Sequence, residues 1–149
     1  MTPCCMRSKA LGMDYRVWQQ MARLAGADHL HASGLGSKFY ELDEEVAANI
    51  RSLLEPLGQS IAPLPVLSSG QNVTTPGPTF DAVGSTDLMM LAGGGVAAHP
   101  DGPGAGVRSL RQAWEAAVKG VPLAITADKL AQTGDDALLH AVQTFGKGA

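Results

Sequence analysis

The sequence has 149 residues, of which 45% are hydrophobic, so the chain is long and apolar enough for one folded domain rather than a disordered segment. Its net charge of -3 disfavours a general nucleic-acid-binding role, and no apolar stretch reaches the roughly 18 residues that a transmembrane helix needs. The first ten residues lack the apolar core of a secretion signal, and the adjacent Cys4 and Cys5 are poorly placed for a relaxed disulfide. These features predict a reduced, cytoplasmic protein without a membrane or nucleic-acid partner.

Segments of helix and strand character alternate along the chain. Residues 1–11 show no clear pattern and are predicted to be an unstructured or partial N-terminus. Apolar spacing, acidic residues at helix starts and glycine or proline at helix ends mark the later elements. In chain order these are a helix over 14–25, a strand over 27–31, a helix over 43–57, a strand over 64–67, a helix over 76–83, a strand over 88–92, a Pro/Gly-rich loop over 99–106, a helix over 107–119 and one or two helices over 125–145.

The longer helices are predicted to be amphipathic, with apolar residues three or four apart along one face. The stripe of the second helix is expected to face inward. The stripes are Val17, Met21 and Leu24 in the first helix, Val46, Ile50, Leu53, Leu54 and Leu57 in the second, and Val107, Leu110, Trp114, Ala117 and Val118 in the helix over 107–119.

The alternation of strands and helices predicts a parallel α/β sheet. A closed β/α barrel needs eight strand–helix units and about 250 residues, so this chain cannot close one alone. It is therefore predicted to be a piece of a larger protein or one that must associate, with a small doubly wound domain as the alternative. A Rossmann-like nucleotide binder would require Gly-x-Gly-x-x-Gly after the first strand, whereas the glycine triplet here follows the last predicted strand.

Two consecutive predicted strands end in small residues. The apolar run from Leu88 leads into Gly93, Gly94 and Gly95, and the preceding strand leads into the sequence Ser-Ser-Gly at 68–70. Such an apolar run is typical of a strand that is covered on both faces. Glycines let backbone N–H groups approach an anion, and barrel phosphates often bind between the last two strands. The two strand ends predict a phosphate site, with tight, flexible turns as the alternative.

Two histidines and a lysine lie around the first predicted strand. His29 and His31 alternate onto the same face, and Lys38 follows in a loop rich in glycine and serine. A strand-end histidine and a lysine on a glycine-hinged loop can clamp an anionic substrate and exclude water. Structural hydrogen bonding is the alternative role for the histidines.

Other polar residues carry weaker signals. His99 follows the glycine triplet and is expected either to anchor its loop or to contact a ligand. Arg108 and Arg111 are expected to face solvent. The Cys and His residues do not show the spacing that is typical of a zinc site.

Three motifs resemble, in order and spacing, strands six to eight of the ribulose bisphosphate carboxylase (RuBisCO) superfamily. The motifs are residues 26–31 with Lys38 for strand six and its loop, 65–70 for strand seven, and 91–95 with Pro100 for strand eight. Residues 12–17 resemble the helix before strand six. The resemblance implies an α/β fold that is a partial TIM barrel, in which 12–149 form the C-terminal three β/α units preceded by a helix.

The resemblance also implies roles for individual residues. It makes Lys38 and His31 the catalytic residues, with Lys38 as a lid lysine that closes over the substrate and His31 in contact with a phosphate or nearby oxygen. Ser68 would contact substrate oxygens. The backbone N–H groups implied to bind phosphate are those of Ser69, Gly70, Gly93 and Gly94. The true carboxylases usually have glycine where Ser69 stands, so this position departs from their pattern.

The segment 99–108 is more similar to the RuBisCO-like, or form IV, proteins than to the carboxylases. Those proteins enolise phosphorylated keto-sugars without net carbon fixation. The resemblance implies a decarboxylase or a transcarboxylase/hydrolase that acts on an apionate-type sugar acid phosphate. The alternatives are a methionine-salvage isomerase or enolase acting on a methylthioribulose phosphate, a true ribulose bisphosphate carboxylase, and a non-catalytic phosphate-binding half-barrel.

The metal site of the superfamily lies outside the part of the barrel that this chain resembles. The resemblance implies Mg²⁺ in the full-length family, bound by a carbamylated lysine and acidic residues on an upstream strand. The sequence contains no Lys-x-Asp-Glu or Lys-x-Asp-Asp run, so we expect none of its residues to bind the metal. The resemblance further implies a homodimer or larger homo-oligomer in the full-length family.

Overall fold

The structure, a computed structural model, describes residues 12–37 and 41–146, so the expectation for residues 1–11 lies outside it. Within these ranges, strands and helices alternate and a group of helices follows the last strand. The elements are α1 (Tyr15–Leu24), β1 (His29–Ser33), α2 (Asp43–Leu54), β2 (Leu64–Ser68), α3 (Pro76–Val83), β3 (Met89–Met90), α4 (Gly93–Ala97), α5 (Pro103–Val118), α6 (Leu123–Gln132) and α7 (Ala137–Phe145).

The strands form one parallel sheet in the order β1-β2-β3. His31 is in register with Val66, and Leu67 is in register with Met90. The predicted α/β fold with a parallel sheet is confirmed. Because the strands are parallel, their carboxyl ends lie at one edge of the sheet, which we call the strand tips.

Two clusters of buried apolar side chains hold the elements together. The first lies between the sheet and α2, where Ile50 and Leu67 are fully buried. The second lies among α5, α6 and α7 and includes Val73, which follows the tip of β2. The first cluster consists of Ala32, Leu35, Val46, Ile50 and Leu67, and the second of Val73, Ala113, Ala127, Leu138 and Ala141.

Local sequence signals explain where two of the helices begin and end. Pro76 stands in the first turn of α3, and Gly84 ends that helix with a φ of +71°, so the predicted bounds are confirmed. The second helix was predicted to reach residue 57 but ends at Leu54. Pro56 is the cause, since the residue before a proline disfavours helical backbone and Glu55 is extended.

The apolar stripe of α1 faces outward. Val17, Met21 and Leu24 are 51%, 56% and 67% exposed, whereas Gln19 and Arg23 are buried. Gln19 Nε2 donates to the carbonyl of His31 at 2.9 Å, and the guanidinium of Arg23 donates to carbonyls in the α2–β2 connection, including that of Glu55 at 2.8 Å. This helix therefore packs through polar side chains that satisfy backbone carbonyls.

The stripe predicted for α5 is also not its buried face. Val107 and Val118 are each 51% exposed. The face that packs against the rest of the fold carries small residues, which are Ala105, Gly106, Ser109, Ala113 and Ala116. Close helix packing selects these small residues rather than the large apolar ones.

Strand boundaries differ from the prediction at both edges of the sheet. β1 extends through Ala32 and Ser33, which were assigned to the loop but are buried. β3 is shorter than the predicted run and is not covered on both faces, because Met89 and Leu91 are 38% and 49% exposed. Within the described residues β3 is an edge strand that pairs with β2 alone.

The segment between β3 and α5 is more helical than predicted. The glycine triplet opens the short helix α4, and α5 begins at Pro103, inside the segment predicted as a loop. A Cβ at Gly106 would lie 2.4 Å from the carbonyl oxygen of Val96, so a glycine is required where α4 and α5 meet. Glycines that indicate a loop in sequence thus serve helix packing here.

Candidate functional site

The strand tips bring the predicted site residues to one edge of the sheet. The backbone N–H of Gly34, after β1, donates to the carbonyl of Ser68 at 2.9 Å, and that of Leu91, after β3, donates to the carbonyl of Leu67 at 2.8 Å. The connections that follow the three strands therefore start side by side. In open and closed α/β sheets, ligands bind at this edge.

His31 and Ser68 are in direct contact. His31 Nε2 lies 2.6 Å from Ser68 Oγ, within hydrogen-bond distance, and the His31 side chain is exposed. Two side chains of α1 hold the backbone of His31, because its carbonyl accepts from the Tyr15 hydroxyl at 2.7 Å and from Gln19 Nε2 at 2.9 Å. Two residues that were singled out from separate motifs thus meet at the strand tips.

Ser69 and Gly70 form a left-handed turn at the tip of β2. Their φ angles are +72° and +74°, and Ser69 is the one non-glycine residue with positive φ in the described part of the chain. The side chain of Asn72 folds back on this turn, since its Nδ2 donates to the carbonyl of Gly70 at 3.1 Å. Gln71 Nε2 donates to the carbonyl of Ser69 at 2.9 Å.

Sequence reasoning missed Gln71 and Asn72. Their signal was their position directly after a glycine at a strand end, where amide side chains commonly bond to nearby backbone. Gln71 is 2% exposed and also donates to the carbonyl of Leu35 at 3.2 Å, so it connects two loops.

The three glycines after β3 have different surroundings. A Cβ at Gly93 or Gly94 would meet nothing within 4 Å, and both residues are exposed. A Cβ at Gly95 would lie 2.4 Å from the carbonyl oxygen of Gln71, so Gly95 is required by packing against the loop after β2. Gly93 and Gly94 are therefore accessible, and Gly95 holds the two tips together.

Two carboxylates that follow Lys38 in the sequence bind to the loop after β1, whereas Lys38 itself lies outside the described residues. Ser33 Oγ donates to Glu41 Oε2 at 2.6 Å, and the N–H of Gly36 donates to Asp43 Oδ1 at 2.8 Å.

Burial, and then the charge of Glu41, raise the pKa of the Tyr15 hydroxyl to about 12. Tyr15 therefore keeps its proton and remains a hydrogen-bond donor to the carbonyl of His31.

The remaining polar candidates serve the structure away from the tips. His99 is buried, its Nε2 lies 2.9 Å from the carbonyl oxygen of Ala137, and its Nδ1 accepts from the N–H of Asp101 at 3.1 Å. It therefore anchors its loop, which was one of its two expected roles. Arg108 and Arg111 are exposed, as predicted, and Arg108 pairs with Asp135 at 3.2 Å.

The described residues do not form a metal site. Within 12–37 and 41–146, no three His, Cys, Asp or Glu side chains are grouped so that they could bind an ion. None of the helices described is both long and apolar enough to cross a membrane.

Comparison with known proteins identifies the family. The model for "Ribulose bisphosphate carboxylase large chain, catalytic domain" matches residues 1–145. The chain is 42% identical over 123 residues to the 3-oxo-isoapionate-4-phosphate decarboxylase of Rhizobium etli, covering 81% of this chain and 30% of that one. It is 47% identical over 119 residues to the 3-oxo-isoapionate-4-phosphate transcarboxylase/hydrolase of Xanthobacter autotrophicus, covering 78% of this chain and 29% of that one.

A solved structure agrees with these matches. The rubisco-like protein from Burkholderia fungorum superposes with a TM-score of 0.85 at 44% identity, over 94% of this chain and 34% of that one. The chain spans about 30% of the length of the curated relatives it matches. It belongs to the family of the RuBisCO large-chain catalytic domain, with RuBisCO-like proteins among its relatives.

Proposed function

We propose that this chain supplies the phosphate-binding part of a RuBisCO-like enzyme that acts on a phosphorylated sugar. The observation that carries the proposal is the 2.6 Å contact between His31 Nε2 and Ser68 Oγ, beside the left-handed turn of Ser69 and Gly70. The glycines after β3 follow the neighbouring parallel strand. Donors from two adjacent strand tips are thus available to one phosphate.

In this proposal the phosphate is bound by the Ser68 hydroxyl and by backbone N–H groups. Gly70, Gly93 and Gly94 are exposed. A Cβ at Gly93 or Gly94 would meet nothing within 4 Å, and glycine lets a ligand oxygen approach the backbone closely. The proposed N–H donors are those of Ser69, Gly70, Gly93 and Gly94.

His31 and Lys38 are proposed as the catalytic residues. The imidazole of His31 is exposed, and its contact with Ser68 fixes the direction of the ring. The role of Lys38 rests on the resemblance of its motif, in which a lysine ammonium closes over an anionic substrate and excludes water.

The substrate we favour is a phosphorylated, branched 3-oxo sugar acid. Relatives at 42% and 47% identity are named for 3-oxo-isoapionate 4-phosphate, the first as a decarboxylase and the second as a transcarboxylase/hydrolase. A methionine-salvage isomerase or enolase and a true ribulose bisphosphate carboxylase remain alternatives within the family. We expect the protein in the cytoplasm and, in the full-length family, in a homodimer or larger homo-oligomer.

The full-length family is implied to use Mg²⁺, which would polarise a substrate carbonyl when bound. We propose that residues outside this chain bind the metal, because the resemblance places the metal ligands of the family on an upstream strand of the barrel. The alternative of a different class is a half-barrel that binds phosphate without catalysis.

Titration of the 149-residue chain with inorganic phosphate and with a keto-sugar phosphate, followed by amide NMR, tests the binding site. His31→Ala and Ser68→Ala should each weaken binding by roughly tenfold, because each removes a hydrogen bond to a charged ligand. His29→Ala is the matched control on the same strand and should change affinity less than about twofold. Equal losses in all the variants, or shifts away from the strand tips, would contradict the site.

Activity assays separate the enzyme from the non-catalytic module. The chain alone with Mg²⁺ should not enolise a sugar phosphate, and turnover would overturn the assignment of the metal to residues outside it. Addition of the N-terminal part of a decarboxylase relative should restore decarboxylation if the chain is an enzyme part. Binding without any restored turnover would support the half-barrel module.

A further inference from the structure

A buried glutamine joins the connections that follow β1 and β2. Gln71 is 2% exposed, and its Nε2 donates to the carbonyl of Ser69 at 2.9 Å and to that of Leu35 at 3.2 Å. Because both neighbours are carbonyl oxygens, the NH₂ end of the amide must face them. The side chain thus fixes one carbonyl in each of two loops at the strand tips.

The amide end of Gln71 lies close to the backbone of Gly34, and the backbone of Gln71 lies close to Gly95. A Cβ at Gly34 would lie 2.0 Å from Gln71 Nε2 and 2.3 Å from its Cδ. On the other side, a Cβ at Gly95 would lie 2.4 Å from the carbonyl oxygen of Gln71. Residue 71 therefore touches the connection after each of the three strands.

The backbone conformation of Ser69 is unfavourable for a residue with a side chain. Its φ of +72° lies in the left-handed region, which such a residue populates roughly fivefold less than its ordinary conformations. The hydrogen bond from Gln71 holds the carbonyl of Ser69 in this conformation. A glycine at position 69 would adopt the same φ without the steric cost.

We propose that Gln71 is a positioning residue for the phosphate site, which holds Ser69 in its left-handed turn and ties that turn to the connection after β1. The proposal rests on the proposed function, because phosphate binding at this turn is its principal readout. The proposal predicts that loss of the Gln71 side chain weakens phosphate binding less when residue 69 is glycine than when it is serine.

A double-mutant cycle on the full chain tests this prediction. Gln71→Met keeps the length of the side chain but removes its donors, and should weaken binding of inorganic phosphate by roughly fivefold or more. In the Ser69→Gly background the same Gln71→Met substitution should weaken binding by less than about twofold, relative to Ser69→Gly alone. A loss in that background as large as the loss in the wild-type background would overturn the proposal.

Gln20→Met is the matched control. Gln20 Nε2 also donates to a backbone carbonyl, that of Ser52 at 2.7 Å, but it does so toward the end of α2, away from the strand tips. It should lower stability without weakening phosphate binding. Equal loss of phosphate affinity in Gln20→Met and Gln71→Met would show a general structural effect and overturn the positioning role.

Two further readouts keep the inference distinct from the function it rests on. If the wild-type chain does not bind phosphate, the proposed function fails, but the NMR shifts of Ser69 still report its backbone. Gln71→Met must then change the Ser69 and Leu35 resonances, and unchanged resonances would overturn the inference. If Gln71→Met does not fold, the Ser69→Gly/Gln71→Met chain should recover a folded spectrum, and failure to recover would also overturn it.

Discussion

A histidine–aspartate pair links the loop before α5 to α7. His140 Nδ1 lies 2.6 Å from Asp101 Oδ2, and the backbone N–H of Asp101 donates to the buried His99. The hydrogen bond with Asp101 raises the pKa of His140 above its ordinary 6.5, and the charges of Asp101 and Asp136 act in the same direction. The charged form of His140 therefore favours the attachment of α7.

We expect this pair to make stability depend on pH. Because the folded pKa of His140 is raised, its contribution is complete below the unfolded pKa and is lost as the pH rises through the folded value. His140→Gln should lower the melting temperature most at acidic pH, and the difference from wild type should shrink as the pH rises. Thermal unfolding of both chains from about pH 5.5 to about pH 8.5 measures this.

Asp101→Asn serves as the reciprocal variant, since it removes the same charge pair from the other side. A melting-temperature difference that stays constant with pH in both variants would contradict the role of the protonated histidine.

At the residue scale, sequence analysis singled out two side chains that the structure brings into contact, but not the polar contacts around them. His31 was predicted as a strand-end histidine before a loop rich in glycine and serine, and Ser68 as part of a strand end of small residues. Gln71 and the Asp101–His140 pair were not predicted, since their partners are backbone carbonyls or residues far along the chain. Such contacts depend on tertiary structure, which residue type and spacing do not specify.

At the scale of elements, the contact between α4 and α5 depends on one glycine. A Cβ at Gly106 would lie 2.4 Å from the carbonyl oxygen and 2.8 Å from the Cα of Val96. These are backbone atoms, so they cannot move aside as a flexible side chain would. Gly104, two residues earlier in the same helix, has nothing within 4 Å in the Cβ direction.

The two glycines give a matched pair of variants on the same helix. Gly106→Ala should lower the free energy of unfolding by about 1–3 kcal/mol, because the new methyl group forces α4 and α5 apart. Gly104→Ala should leave it unchanged or raise it by up to about 1 kcal/mol, since alanine restricts the unfolded chain. Urea denaturation monitored by circular dichroism measures both, and similar values for the two variants would contradict the close contact.

The predicted and observed helix bounds agree where a single residue fixes the backbone conformation at the helix end. Pro76 and Gly84 set the limits of α3. The start of α5 was placed too late because its first turns contain glycines that suggest a loop, although Gly106 is there for packing. Composition cannot distinguish a glycine that permits a turn from one that permits two helices to touch.

At the scale of the whole molecule, apolar residues are divided between two clusters and an outer surface. Spacing alone predicted apolar stripes on α1 and α5, and in both helices the structure leaves large residues of the stripe exposed. Periodicity shows that a helix has an apolar face, but it does not show which other element covers that face. The fold class and the parallel sheet were predictable, whereas the packing of these helices was not.

Substitutions on the two kinds of apolar surface should behave differently. Met21→Gln on the exposed stripe of α1 should change the free energy of unfolding by no more than about 0.5 kcal/mol. Ile50→Ala, in the first buried cluster, should lower it by about 2–5 kcal/mol because it leaves a cavity. Chemical denaturation of the two variants measures the contrast, and a large loss in Met21→Gln would show that the stripe is covered in solution.

The proposed phosphate turn lies between the two buried clusters. Leu67 belongs to the first cluster and Val73 to the second, and the segment 68–72 spans the distance between them. One end of the turn is therefore anchored in the first buried cluster and the other end in the second. A ligand held by this turn would link the two cores, so that neither could loosen without disturbing the other.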